Sequence, residues 1–131
     1  MYLLDTNACI RILKKSSLSV VKRLQQQDSK NIKLCSIVKA ELLYGAHHSE
    51  RIEKNLQLLN KFFEPLDCLP FDDSCAEEYG RIRAYLAFKG SLIGPNDLMI
   101  AAIAKAHDLI VVTHNVDEFS HVEGLRVEDW E

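Results

Sequence analysis

The chain has 131 residues, 47% of them hydrophobic and 27% charged, enough to bury a core and inconsistent with a disordered or low-complexity protein. One domain, 1–131, is expected. The formal net charge of -3 conceals an asymmetry: residues 6–40 hold eight bases and one acid, whereas residues 97–131 hold two bases and eight acids. This pattern suits a basic surface for phosphates beside an acidic region that holds a cation, although a solvated helix face would look the same.

Tyr2 to Leu4 is a short apolar run that meets Asp5, Thr6 and Asn7, before a signal-peptide core could form. A helix to Leu13 and another over 19–27 follow. Leu34 to Ile37 reads as a strand leading into a helix from Ser36 to His47. The spacing of Ile52, Leu56, Leu59 and Phe63 predicts a helix over 50–63, which Pro65 ends. Leu66 to Leu69 reads as a strand. Asp73 or Ser74 caps the next helix, with Ser74 and Glu77 matching a capping box, and Gly90 closes it. Pro95 opens a helix to His107. Leu109 to Val112 suits a strand covered on both faces, and 125–127 an edge strand. Short buried strands alternating with helices predict an α/β fold with a mainly parallel sheet.

No apolar run reaches the roughly 20 residues that span a membrane, so a soluble cytoplasmic protein is expected. Cys9, Cys35, Cys68 and Cys75 contain no C-x-x-C pair and read as four small buried hydrophobes in a reducing compartment. His47 and His48 diverge around a helix, and His107, His114 and His121 fall at helix ends or loops, with His114 near the expected crevice.

In an open parallel sheet, sites form beyond the carboxyl ends of the strands. Asp5 follows the first strand and Thr113 to Asn115 follow a later one, so neighbouring strands would bring them together. Asp5 can equally cap a helix. Glu41 has Ile37, Val38, Tyr44 and Gly45 as its helical neighbours, and a carboxylate on an apolar face requires a metal ion or a base such as Arg81 or Arg83. Asp97 lies in a first helical turn, favourable to the helix dipole, but borders the apolar Ile100 and Ala101. Glu118 is the fourth carboxylate. Asn115 can orient a carboxylate or form a turn. Converging acids call for a hard cation, Mg²⁺ or Mn²⁺, which polarises water and holds phosphate.

The stretches Leu4-Asp5-Thr6-Asn7, Ala40 to Gly45, Ile93 to Ala102, Val112 to Asn115 with Glu118-Phe119, and the ending Gly124 to Trp130 together resemble the PIN-domain ribonucleases, specifically the VapC toxins of toxin–antitoxin pairs. That resemblance implies an α/β/α sandwich, a Mg²⁺-dependent endoribonuclease acting on RNA such as tRNA, and a homodimer neutralised by a VapB antitoxin. It assigns catalysis and metal binding to Asp5, Glu41, Asp97 and Glu118, supported by Thr6, Thr113 and Asn115. Some relatives carry Asp where Asn115 stands. RNA would lie over the basic amino-terminal helices, through Arg11, Lys14 and Lys15. A haloacid-dehalogenase-type phosphatase would want an Asp where Asn7 stands, and a receiver domain an early acid pair that is missing here. The remaining alternative, a catalytically inactive binding module of the same fold, would lack a central acid.

Overall fold

A computed structural model describes residues 1–131. The elements run β1 (Tyr2–Leu4), α1 (Thr6–Lys14), α2 (Leu18–Gln25), β2 (Ile32–Cys35), α3 (Ser36–His47), α4 (Ile52–Phe63), β3 (Asp67–Leu69), α5 (Asp73–Lys89), α6 (Pro95–His107), β4 (Ile110–Val112), α7 (Val116–Phe119) and β5 (Val127–Glu128).

The five strands form one sheet in the order β3-β2-β1-β4-β5, and every pairing is parallel. Successive strand residues point to opposite faces, yet Leu3 with Leu4, Leu34 with Cys35 and Val111 with Val112 are all buried. Both faces are therefore covered by helices, as the α/β/α sandwich requires. The chain moves outward from β1 through β2 and β3, then crosses over to begin β4 on β1's other side. The strand order thus reverses between β1 and β4, where an open sheet leaves a crevice.

Helix α6 is the central helix. Leu98 and every residue from Ile100 to Ala104 are buried, so apolar contact surrounds it rather than forming one stripe. The small alanines let α5 and β4 approach it closely. Gly90, at φ 71°, closes α5 in the left-handed conformation that glycine adopts without a Cβ clash.

Several local expectations shift. β2 begins at Ile32 and stops at Cys35, because Ser36 already opens α3 and Ile37 belongs to that helix. Helix α4 starts at Ile52, and β5 comprises Val127 and Glu128. The Ser74–Glu77 capping box does not form. Asp72 is the cap of α5: its carboxylate accepts from the Cys75 amide at 3.1 Å, and the Ser74 hydroxyl donates to the same oxygen at 2.8 Å. An ionised acceptor outcompetes a hydroxyl for that role. Cys68 is exposed, because it lies on the edge strand β3; the other cysteines are buried.

The carboxy-terminal tail folds back over β1 and α2. Trp130 is 1% exposed and packs edge-on against Tyr2 with ring centroids 5.1 Å apart. Its indole N–H donates to Glu128 at 3.0 Å, the Ser19 hydroxyl donates to its carbonyl, and the Arg23 guanidinium lies 5.3 Å from its ring centre. No helix is long and apolar enough to cross a membrane.

Candidate active site

The sheet register builds the site. Leu4 pairs with Val112, and the ladder continues one step further, with the Asp5 amide donating to the Val112 carbonyl at 3.1 Å. The Thr113 amide donates in turn to the Glu128 carbonyl at 3.0 Å. Asp5 and Thr113 therefore stand together at the carboxyl edge, both nearly fully buried.

Asp5 serves two purposes. It caps α1, accepting from the Ala8 amide at 2.8 Å, and its carboxylate lines a cleft. Of the two readings of Asp5, the cap forms, and the same side chain also lines the cleft. Glu41 faces the same cleft from α3, and the Thr6 hydroxyl donates to its Oε1 at 3.0 Å. Neither Arg81 nor Arg83 compensates it: Arg81 pairs with Glu78 at 3.0 Å, and Arg83 donates to the Tyr79 hydroxyl at 3.0 Å, both along α5. Asp97 enters from the first turn of α6.

The resulting cleft holds about 290 Å³ and is lined by Asp5, Thr6, Asn7, Glu41, Gly94, Pro95, Asn96 and Asp97. No hydrophobic and no basic side chain is among them. Burial drives the Asp97 carboxyl up to about 7, helped by the adjacent charge of Glu118 and by Asp5 and Glu41. Burial likewise raises the Asp5 carboxyl, opposed by hydrogen bonds from Thr113 and the Ala8 amide. Glu118 goes the other way, lowered first by the Gly94 amide. These opposed shifts make Asp97 the weaker acid of the two.

Glu118 stands behind the cleft wall rather than in it. Its Oε1 accepts from the Gly94 amide at 2.6 Å and its Oε2 from the Asn115 side-chain amide. Asn115 is itself positioned by its backbone amide, which donates to the Thr113 hydroxyl at 2.9 Å. Residues 113–118 thus form a connected brace behind Asp97. Sequence reasoning named its side chains but missed the Gly94 amide. The Gly94-Pro95 helix start was the available signal, since N-terminal amides of a helix lack intrahelical partners. Asn7 and Asn96 were not expected in the cleft.

The basic residues are less free than their count suggests. Arg11 pairs with Glu131 at 3.4 Å, Arg23 with Glu128 at 3.0 Å and Lys33 with Asp67 at 2.8 Å. Lys14 and Lys15 remain exposed at the end of α1, Lys15 in a left-handed conformation at φ 52°. His114 is exposed and held by Asp129 at 3.0 Å and Glu131 at 3.5 Å.

Comparison with known proteins gives this arrangement a family. Residues 2–125 match the PIN domain. The chain is 42% identical over 129 residues to the tRNA(fMet)-specific endonuclease VapC of Shigella flexneri, covering 98% of this chain and 97% of that relative. It is 40% identical, with the same coverage, to Ribonuclease VapC2 of Haemophilus influenzae. Among solved structures, DNA-bound VapBC from Salmonella typhimurium superposes with a TM-score of 0.93 at 40% identity, covering 99% of this chain and 98% of that one. VapBC2 from Rickettsia felis bound to a promoter DNA fragment gives 0.92 at 38% identity, again covering 99% and 98%. With its family matched over nearly the full length, the chain belongs to the PIN-domain proteins and, within them, to the VapC ribonucleases.

Proposed function

We propose that this protein is a cytoplasmic, Mg²⁺-dependent endoribonuclease toxin, with tRNA as its substrate class and a VapB-type antitoxin as its partner. The observation that carries the reading is the cleft itself. Asp5, Glu41 and Asp97 face one another with no basic side chain among them, and this desolvated all-oxygen set fits a hard divalent cation. Asp5, Glu41 and Asp97 would hold Mg²⁺, or Mn²⁺ in its place, with Glu118 engaged through Asp97. Bound there, the cation supplies positive charge to the scissile phosphate and acidifies water.

The side chains set up that chemistry. The Thr6 hydroxyl turns Glu41 toward the cleft. Thr113 and the Ala8 amide fix Asp5, so its carboxylate needs no reorganisation. Glu118, clamped by Gly94 and Asn115, lies against Asp97 and orients it. Hydrolysis by an activated water with departure of the 3′ oxygen leaves 5′-phosphate and 3′-hydroxyl ends. Lys14 and Lys15, exposed at the end of α1, would meet the RNA backbone, with Arg11 joining them on release from Glu131.

The partner reading rests on a second feature. A groove of about 380 Å³ between α1, α3 and α4 is lined by Ile10, Leu13, Leu42, Leu58 and Leu59 and reaches Glu41. An antitoxin segment seated there would end at the acids. Phe88, 90% exposed at the end of α5, with Tyr85 and Leu92 nearby in sequence, supplies apolar surface for the second copy of a homodimer.

The test is incubation of purified protein with total tRNA. Cleavage with Mg²⁺, its loss with EDTA and 5′-phosphate product ends are expected. Undiminished cleavage in EDTA, or in Asp97→Asn, would overturn the assignment. Binding of RNA without cleavage under every metal condition would favour the inactive binding module.

A further inference from the structure

At the far end of α6 from Asp97, about 15 Å along the helix axis at 1.5 Å per residue, a second group of metal-binding side chains meets. The group comprises Asp72, Cys75 and His107, and one ligand atom from each lies within 4.8 Å of the others. Asp72 is the cap of α5, Cys75 lies in its first turn, and His107 lies in the last turn of α6. A spacing of three residues places Asp72 and Cys75 on one face of the chain entering α5.

We infer that Asp72, Cys75 and His107 form a Zn²⁺ site that clips the start of α5 to the end of α6, separate from the acidic cleft. The donor set is the argument. Sulfur, imidazole nitrogen and carboxylate oxygen together suit Zn²⁺, whereas the cleft offers oxygen alone and suits Mg²⁺. Three protein donors leave the fourth tetrahedral position to water. Asp72 and His107 are exposed and Cys75 is buried, so the sulfur forms the floor and the solvent side carries the water.

The surroundings are compatible with such an ion. The cap bonds to Ser74 and the Cys75 amide both use Asp72 Oδ1, which leaves Oδ2 for coordination. The thiol contacts the Pro70 carbonyl at 3.7 Å and the Asp72 carboxylate, and coordination would replace both contacts. On ion entry the Sγ–H proton passes to solvent, and the thiolate lies at the positive end of the α5 dipole. His107 lies at the negative end of α6, which favours a cation. Sequence spacing concealed the site because His107 is distant from Cys75 along the chain and no C-x-x-C pair marks it.

Cobalt reports the site optically through its thiolate charge-transfer band. The full-length protein in millimolar Mg²⁺, which occupies the cleft, is titrated with Co²⁺ and then with Zn²⁺. One equivalent of Co²⁺ should raise a near-ultraviolet sulfur band that Zn²⁺ abolishes. Cys75→Ser should remove the band, and Cys68→Ser should leave it intact. His107→Ala, at an exposed position, should weaken binding by more than about tenfold, since even outer-shell losses cost that much. Asp72→Asn keeps a good cap and should also weaken binding. The site is refuted if wild type gives no sulfur band, or if the band survives undiminished in Cys75→Ser or His107→Ala. It is equally refuted if the band disappears in Cys68→Ser. None of these readouts depends on RNA cleavage, so the inference and the ribonuclease reading can fail independently.

Discussion

The acids of the cleft and the acids of the carboxy-terminal tail stand in opposite electrostatic company. In the tail, Glu128 meets Arg23, Glu131 meets Arg11, and Asp129 meets His114. In the cleft, Asp5, Glu41 and Asp97 meet chiefly one another and neutral hydrogen-bond donors. The tail's exposed pairs stabilise the fold by less than about 1 kcal/mol each, and their work is to hold Trp130 over β1. The cleft destabilises the ion-free fold, because buried carboxylates repel and lose hydration. Acids of the tail thus meet bases, whereas the acids at the carboxyl edge meet none.

The strongest way to break that comparison is to remove a cleft acid. Asp97→Asn and Asp5→Asn should each lower RNA cleavage about a thousandfold or more, roughly 4 kcal/mol of transition-state stabilisation, with folding intact. Cleavage rates paired with urea unfolding check both halves. Asp5→Ala should lose cleavage equally and also cost about 1 kcal/mol of stability, because the α1 cap goes with the carboxylate. The tail should answer in the reverse sense. Trp130→Ala should cost about 3 kcal/mol of stability by denaturant titration, while the cleavage rate per folded molecule changes little. A Trp130 variant that stays fully stable would show that the tail merely rests on the fold. The smallest effect should come from Thr6→Val, which keeps Glu41 but removes the hydroxyl donating to it at 3.0 Å. Cleavage should drop about tenfold, equivalent to roughly 1.4 kcal/mol, in line with a hydrogen bond to a charged acceptor.

The cleft was more legible in the sequence than the contacts around it, for physical reasons. Asp5 and Thr113 directly end apolar runs, and parallel pairing makes strand ends meet at one edge. Glu41 stood out because its helical neighbours are apolar. Long-range partners leave no such local mark. Nothing around Arg11, Arg23 or Lys33 announces an acid on a distant element, so the basic stretch looked freer than it is. Asp72 displaced Ser74 as a cap because charge strengthens a hydrogen bond, a contest that spacing alone does not decide. Trp130 sits in a strongly acidic tail, and its burial follows from a cradle built by Tyr2, Ser19 and Arg23.

The cleft's uncompensated charge also sets a pH dependence. Asp97 titrates at about 7 in the fold against an ordinary 3.8, so the unfolded chain releases its proton first. This group's contribution to ion-free stability therefore falls as pH rises from about 4 to about 7. A divalent cation that binds the ionised acids must displace the Asp97 proton below about pH 7. Equilibrium Mn²⁺ binding at about pH 8 and about pH 5.5 tests this most directly: affinity should be weaker by about thirtyfold at the lower pH, and Asp97→Asn should flatten that difference. Equal affinity at both pH values, or an Asp97→Asn protein that binds as wild type does, would contradict the assignment of the cleft as a cation site.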